Sequence, residues 1–438
     1  MATKRTATLT VRDFACFTDA QIEIDSLTII VGPQASGKSL LARLIFFFGR
    51  IPEWVIASAE QGDSLHEFRR KVELSFLELF PSSAWGRTKF KIDFAFGDEI
   101  FSIHRRTRGK SPADFVQFSI NSTMQSRYLD LRERFEAYHQ KFNTNEIHSF
   151  YGEDRARYNI RNALRRYVDK FRYKTIGFTP AGRSFFTTMG KAVSAFDSGG
   201  LLDEITLEFG RRFMGLRGNR FSFLRRLSSY PHFPAYKVDQ SKQKTQARIL
   251  ASLIAGEFVK DGDNEFFLSS DGRKVPFANL SSGQQELFPL LATLILDVFE
   301  QINGGDQKLS IVEEPEAHLF PSSQSRLVEL FASSMSMTKS RLSFLITTHS
   351  PYVLAKLNNL LKADEIFSKK DEALRRKAAN IIDPNIRIKR SSVRAYCING
   401  GKTQSILRSD GLIVAEYIDS ISEAISEEFE DLLELQYG

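Results

Sequence analysis

The stretch VGPQASGKSL, Val31 to Leu40, constrains this chain more than any other. Gly32, four residues, then Gly37-Lys38-Ser39 is the spacing of a phosphate-binding loop, and its setting is the one such a loop requires. LTIIV (Leu27 to Val31) before it reads as a buried strand; LLARLIFFF (Leu40 to Phe48) after it reads as a largely buried helix. In that setting the backbone N–H groups of Gly32, Pro33–Ser36 and Gly37, proline excepted, turn inward as a nest for phosphate at a helix N-terminus. Pro33, Gln34, Ala35 and Ser36 form the body of the loop. Lys38 is expected to reach the β- and γ-phosphates, and the Ser39 hydroxyl to ligate Mg²⁺. A plain glycine turn with an exposed lysine would match the pattern by chance on the order of a few per cent of the time. The strand and helix around it favour the phosphate cradle, with ATP and Mg²⁺ as the expected cofactors.

Bulk properties narrow the setting. The 438 residues suffice for two or three domains, or for one large domain with an insertion. With 42 % hydrophobic and 26 % charged residues, and 38 phenylalanines, a large core can be buried. A net charge of +7 permits contact with nucleic acid but is also what a solvated basic face gives at this length. Cys16 and Cys397 have no partner spacing, which argues for a reducing compartment and against a structural zinc site. The N-terminal MATKRTATLTVRDF has no apolar signal region, and LFPLLATLILDVF (Leu287 to Phe299) is too short to span a bilayer. A cytoplasmic protein away from membranes is expected.

Along the chain, ATLTVRDFACF and AQIEIDSLTIIVG alternate as strands, and Lys89 to Arg106 reads as a hairpin with a Gly-Asp turn. From about Ser126 to Lys174 the sequence becomes helical and dense in charge, with eight Arg or Lys from Arg155 to Lys174 interleaved with Tyr158, Tyr167 and Phe171. Another basic stretch runs from Arg211 to Leu227, and Tyr173 to Phe186 reads as a strand returning to the head. Gly256 to Gly283 reads as a hairpin with two glycine-containing turns, and the tail EAISEEFEDLLELQYG as a docked amphipathic helix. The expected organisation is an α/β head in two lobes, residues 1–105 and 251–438, with a mostly helical basic arm, 106–250, between them.

Three further motifs complete a nucleotide engine. LSIVEEPEAHLFP (Leu309 to Pro321) is an apolar strand ending in two carboxylates: Glu313 to orient Mg²⁺, Glu314 to polarise the attacking water as general base. SFLITTHSPYVL (Ser343 to Leu354) is another strand, with His349 placed at its end to contact the γ-phosphate or that water. In LSSGQQE (Leu280 to Glu286), the hydroxyls of Ser281 and Ser282, the Gly283 amide and Gln284 at a helix start make a second anion-binding surface. Ser-Ser-Gly is also a common helix cap. One subunit needs only one cradle, so the second suggests two subunits meeting head to tail.

In this order GPQASGKS, LSSGQQE, IVEEPEAHLFP and TTHSP resemble the ABC-type ATPase heads of the RecF, Rad50 and SMC class. Within that class the chain looks like the bacterial AAA-15-like and OLD-like ATPases. The resemblance covers the first hundred residues and roughly Leu280 to Leu360. It implies an ABC-type P-loop ATPase head in which Ser281, Ser282 and Gly283 touch the γ-phosphate on a partner's P-loop, with ATP gluing a homodimer. TPAGRS (Thr179 to Ser184) resembles a Pro-Ala-x-Arg segment of that branch, which makes Arg183 a candidate nucleotide or interface sensor. Ser282 stands where many ABC proteins have glycine, Phe320 lies where transporters carry the D-loop aspartate, and Gln125 lacks the context of a Q-loop. OLD-like nucleases add a TOPRIM domain with an Asp-x-Asp pair, and no such pair follows Leu360. The reading is an ATPase that senses or switches for a separate effector such as a nuclease, a pairing that the resemblance associates with anti-phage defence. Two alternatives stand beside it: a DNA-end-binding repair ATPase gripping nucleic acid with the arm, and a nucleotide-gated scaffold.

Overall fold

The computed structural model describes residues 6–86, 88–109, 111–144, 173–189, 202–218, 239–261, 264–414 and 416–437. The arginine-rich run at 154–172 and the basic residues at 219–227 lie outside them.

The chain opens with β1 (Ala7–Phe14), β2 (Phe17–Ile24) and β3 (Leu27–Val31), then α1 (Lys38–Glu60) and α2 (Leu65–Leu79). A meander follows, β4 (Lys91–Phe96), β5 (Glu99–Arg108) and β6 (Ser111–Ile120), leading into α3 (Ser122–Thr144). Next come β7 (Thr175–Thr179), α4 (Ser184–Met189), α5 (Glu204–Gly218) and α6 (Gln240–Ile254). A small three-stranded sheet of β8 (Gly256–Asp261), β9 (Asn264–Ser269) and β10 (Lys274–Pro276) precedes α7 (Ser282–Ile302). The chain continues through β11 (Lys308–Glu313), α8 (Pro321–Met337), β12 (Leu342–Thr348), α9 (Pro351–Ser368) and α10 (Glu372–Ala379). It closes with β13 (Val393–Asn399), β14 (Lys402–Ser405) and α11 (Glu416–Tyr437).

Eleven strands form one α/β sheet in the order β6-β5-β4-β1-β2-β14-β13-β3-β12-β11-β7. One half, β6 to β2, is antiparallel; in the other, β13, β3, β12, β11 and β7 pair in parallel. The sequence explains the division. β3, β11 and β12 are buried along their whole length and carry runs such as LTIIV, as strands covered on both faces must. β1 and β4 alternate buried and more accessible positions.

Two cores flank the sheet, and the side-chain period of two divides each strand between them. Ile29, Val31 and Val312 point into the core built with α6, α7, α8 and α9. Ile30, Leu309 and Ile311 point into the core built with α1, α2 and α3, where Phe46, Phe47 and Phe48 of α1 are fully buried.

The range 106–250 is not set apart from this sheet. β6 pairs with β5 directly across the turn at Gly109, whose φ is 63°, and β7 pairs in parallel with β11. Strand chemistry dominates there because SPADFVQFSI buries alternate residues against α2. The acidic tail, expected to dock, forms a helix, but the side chains described from Ile425 to Gln436 are all exposed, Leu435 by 85 %. Its periodicity dictates a helix; it has no Lys or Arg between Glu416 and Tyr437, and Ile425, Phe429, Leu432 and Leu435 are exposed along it.

Candidate active site

In an open parallel sheet the carboxyl ends of the strands are where ligands bind. β3, β12 and β11 are neighbours, and their carboxyl ends deliver the P-loop, His349 and the Glu313–Glu314 pair to one edge. β7 ends beside β11 at the same edge and adds Pro180 to Arg183.

The P-loop turns through Ala35 at φ 58° and Gly37 at φ 104°, and α1 starts at Lys38. A Cβ on Gly37 would sit 2.5 Å from the Phe17 ring and 2.6 Å from Cys16 Sγ, so glycine is required there by both space and φ. Lys38 is 6 % exposed; its Nζ donates to the carbonyls of Gly32 at 2.7 Å and Pro33 at 2.8 Å, spanning the loop. Burial pulls its pKa below the usual lysine value, and Glu314 and Glu316 work against that fall.

Glu313 closes β11, buried, with one carboxylate oxygen accepting from the Ala181 amide at 3.3 Å. Burial pushes its carboxyl above the usual range, and the Ser39 hydroxyl beside it offsets part of the rise. The two expected metal-holding residues are therefore adjacent. Glu314 follows in a left-handed conformation, φ 40°, its amide donating to the Thr347 carbonyl at 2.9 Å. Its Oε1 lies 3.7 Å from Nδ1 of His349, whose side chain is 58 % exposed. Glu314 and His349 thus face each other across the ends of adjacent strands.

Sequence reasoning overlooked Glu316. This carboxylate is buried; Oε1 accepts from the Thr348 hydroxyl at 2.6 Å and the His349 amide at 2.9 Å, and lies 3.6 Å from His349 Nδ1. It fixes the backbone that presents the histidine. The available signal was the third acid of EEPEAH, placed after Pro315.

The signature residues take a separate position. Ser281 caps α7 in a reciprocal capping box with Gln284, and both Ser281 and Ser282 are exposed. A Cβ on Gly283 would come within 2.8 Å of the His318 carbonyl, so this glycine seats α7 on the loop after β11. Arg183, a candidate sensor by resemblance, is wholly buried and so has no open path to a nucleotide as placed. Its fork is taken up by carbonyls of Pro180, Glu286, Glu313 and Glu314.

The donor set fits a magnesium nucleotide. Ser36 Oγ, Glu313 Oε1 and Glu316 Oε2 are shielded from solvent without a well-formed hydrogen bond, which leaves them open to a ligand or an ordered water. Among the described residues no cluster of three His, Cys, Asp or Glu forms a metal cage; magnesium beside phosphates needs only one or two protein oxygens. No helix among them is long and apolar enough to cross a membrane.

A family model described as "AAA domain, putative AbiEii toxin, Type IV TA system" matches residues 27–355, from β3 into α9. No curated protein matches the chain. Among solved structures it is similar to an SMC head bound to the C-winged helix domain of ScpA, at 12 % identity and TM-score 0.41, covering 92 % of this chain and 96 % of that one. An SMC head domain from Thermotoga maritima aligns at 13 % identity and TM-score 0.33, over 92 % of this chain and 98 % of that one. The recombination mediator protein RecF-ATPrS of the RecFOR pathway aligns at 9 % identity and TM-score 0.33, with the same coverages.

Proposed function

Because the chain belongs to the AAA-domain family whose model it matches, we propose that it is an ATP-binding and hydrolysing head of ABC type that switches a separate effector. The observation that carries this reading is the convergence of Lys38, Ser39, Glu313, Glu314 and His349 at the carboxyl ends of three adjacent strands. Gly32 to Gly37 would hold the phosphates, Lys38 would pair with them, and Ser39 with Glu313 would hold Mg²⁺. Bound ATP with its metal supplies the phosphoanhydride bond to be cleaved.

The chain's own residues supply the rest. Glu314 Oε1, partly open to solvent, is placed to take a proton from a water molecule, as general bases do. His349 orients that carboxylate and the water, and Glu316 holds the histidine's backbone. The Ser281 to Gln284 cap, with Ser281 and Ser282 exposed, would close on the nucleotide of a second subunit, giving a homodimer with two composite sites. The family description, which names a toxin of a type IV toxin–antitoxin system, supports work with a second gene product. Anti-phage defence is the setting favoured by the sequence resemblance.

The test is capture of tagged Glu314→Gln protein from its native host with ATP and Mg²⁺ present, followed by mass determination of the complex. A stoichiometric second protein is expected. Nucleic acid in its place would favour the DNA-end-binding role, and a bare dimer would remove the effector from the account.

A further inference from the structure

Arg183 lies on the loop that follows β7, yet its side chain reaches two other elements. Nε donates to the Glu286 carbonyl in the first turns of α7 at 2.9 Å, and lies 3.3 Å from the Glu286 carboxylate. Nη1 donates to the carbonyls of Glu313 at 2.9 Å and Pro180 at 3.1 Å; Nη2 donates to the Glu314 carbonyl at 3.1 Å. The guanidinium is wholly buried, and so is the Glu286 carboxylate that compensates its charge.

What it holds is the backbone of the proposed general base. Glu314 sits at φ 40°, where a side-chain-bearing residue stays only if its surroundings force it. Its amide is tied to Thr347, on the strand that presents His349, and its carbonyl is tied to Arg183 and so to α7. The same helix begins with the Ser281–Gln284 cap, its two serines exposed, and is seated, through Gly283, on the His318 carbonyl four residues beyond Glu314. A displacement of the cap therefore has two rigid routes to the residue that must face the water, and Arg183 is the polar one.

We infer that Arg183 is a positioning residue that couples the start of α7 to the backbone of Glu314, so that the base is set only when the signature end of the helix is seated. This rests on the proposed ATPase reading for its consequence, though the physical tie itself does not. Lysine cannot replace the fork: a single ammonium on a flexible stem cannot span carbonyls on three elements at once.

Amide hydrogen exchange with and without ATP and Mg²⁺ tests it on wild type and Arg183→Lys, alongside steady-state hydrolysis. Without nucleotide, the variant should exchange faster by about tenfold at both 314–319 and 284–288, with the P-loop unchanged, since local opening sets these rates. With nucleotide, P-loop protection and KM should stay near wild type while kcat falls by about a hundredfold, the split expected when only transition-state geometry is lost. Wild-type exchange at both segments, or an unchanged kcat, overturns the coupling. Absence of P-loop protection in the wild type would instead sink the ATPase reading and leave the nucleotide-free comparison to judge the tie. Should the lysine variant fail to fold, Arg183→Gln combined with Glu286→Gln removes the buried pair without leaving a lone charge. The same exchange pattern is then required of it, and wild-type rates would count against the inference.

Discussion

Gly37 and Glu313 show how single residues commit this chain to its site. At Gly37 the left-handed φ of 104° and the Cys16 and Phe17 side chains leave no room for a methyl group. Gly37→Ala should destabilise the fold by about 1–3 kcal/mol and abolish nucleotide binding, both readable in one thermal-shift titration with ATP. Glu313 makes a pH prediction. Burial raises its carboxyl above the ordinary 4.5, so the folded chain holds the proton more tightly than the unfolded one. Its contribution is fullest below the unfolded value and is lost as pH rises through the folded value. Glu313→Gln should therefore gain stability over wild type in nucleotide-free protein at about pH 8 and lose that advantage only as pH falls below the unfolded value, to about pH 4. Denaturant midpoints at the two values check it. The motifs at this scale were legible because each is contiguous and sits at a strand end: Lys38, Ser39, Glu313, Glu314 and His349 could be singled out as candidates without knowing the fold. Glu316 and Arg183 could not, because their meaning lies in partners far along the chain, Thr348 for one and Glu286 and Glu313 for the other.

Among the elements, β11 and α7 need to be locked to what surrounds them if the site is to hold its shape. Below the site, Asp297 of α7 is buried between Lys308 at the start of β11, 2.7 Å away, and Arg212 of α5. Burial alone would raise the Asp297 carboxyl, but the two cations bring it below the usual range. Removing the shared anion leaves both cations with the more exposed Glu300 alone, 3.1 Å from Lys308 and 3.8 Å from Arg212. Asp297→Ala should thus cost about 3–5 kcal/mol, measured as the change in unfolding free energy. The periodic segments that became α1, α7, β3, β11 and β12 were readable because their apolar pattern is continuous and local. β6 was not, since SPADFVQFSI follows a charged hairpin and declares itself a strand only through pairing with β5. The tail was half readable: periodicity specifies a helix from Glu416 to Tyr437, but not what, if anything, covers its apolar face.

At the scale of the whole molecule, the eleven-stranded sheet brings four separate segments of sequence to one edge, and that is what makes an engine of them. The P-loop, Glu314 and His349 meet within one chain, whereas Ser281 and Ser282 at the start of α7 are exposed, as the proposed closure by a second copy requires. In the proposed function, Glu314 is the base of an ATP-hydrolysing site closed by dimerisation. Single-turnover hydrolysis by wild type and Glu314→Gln, with particle mass followed in the same samples, tests this most directly. A fall in rate of about 10² or more is expected, with ATP binding intact and a long-lived ATP-bound dimer in the variant. An unchanged rate, or a variant that stays monomeric while saturated with ATP, would contradict it.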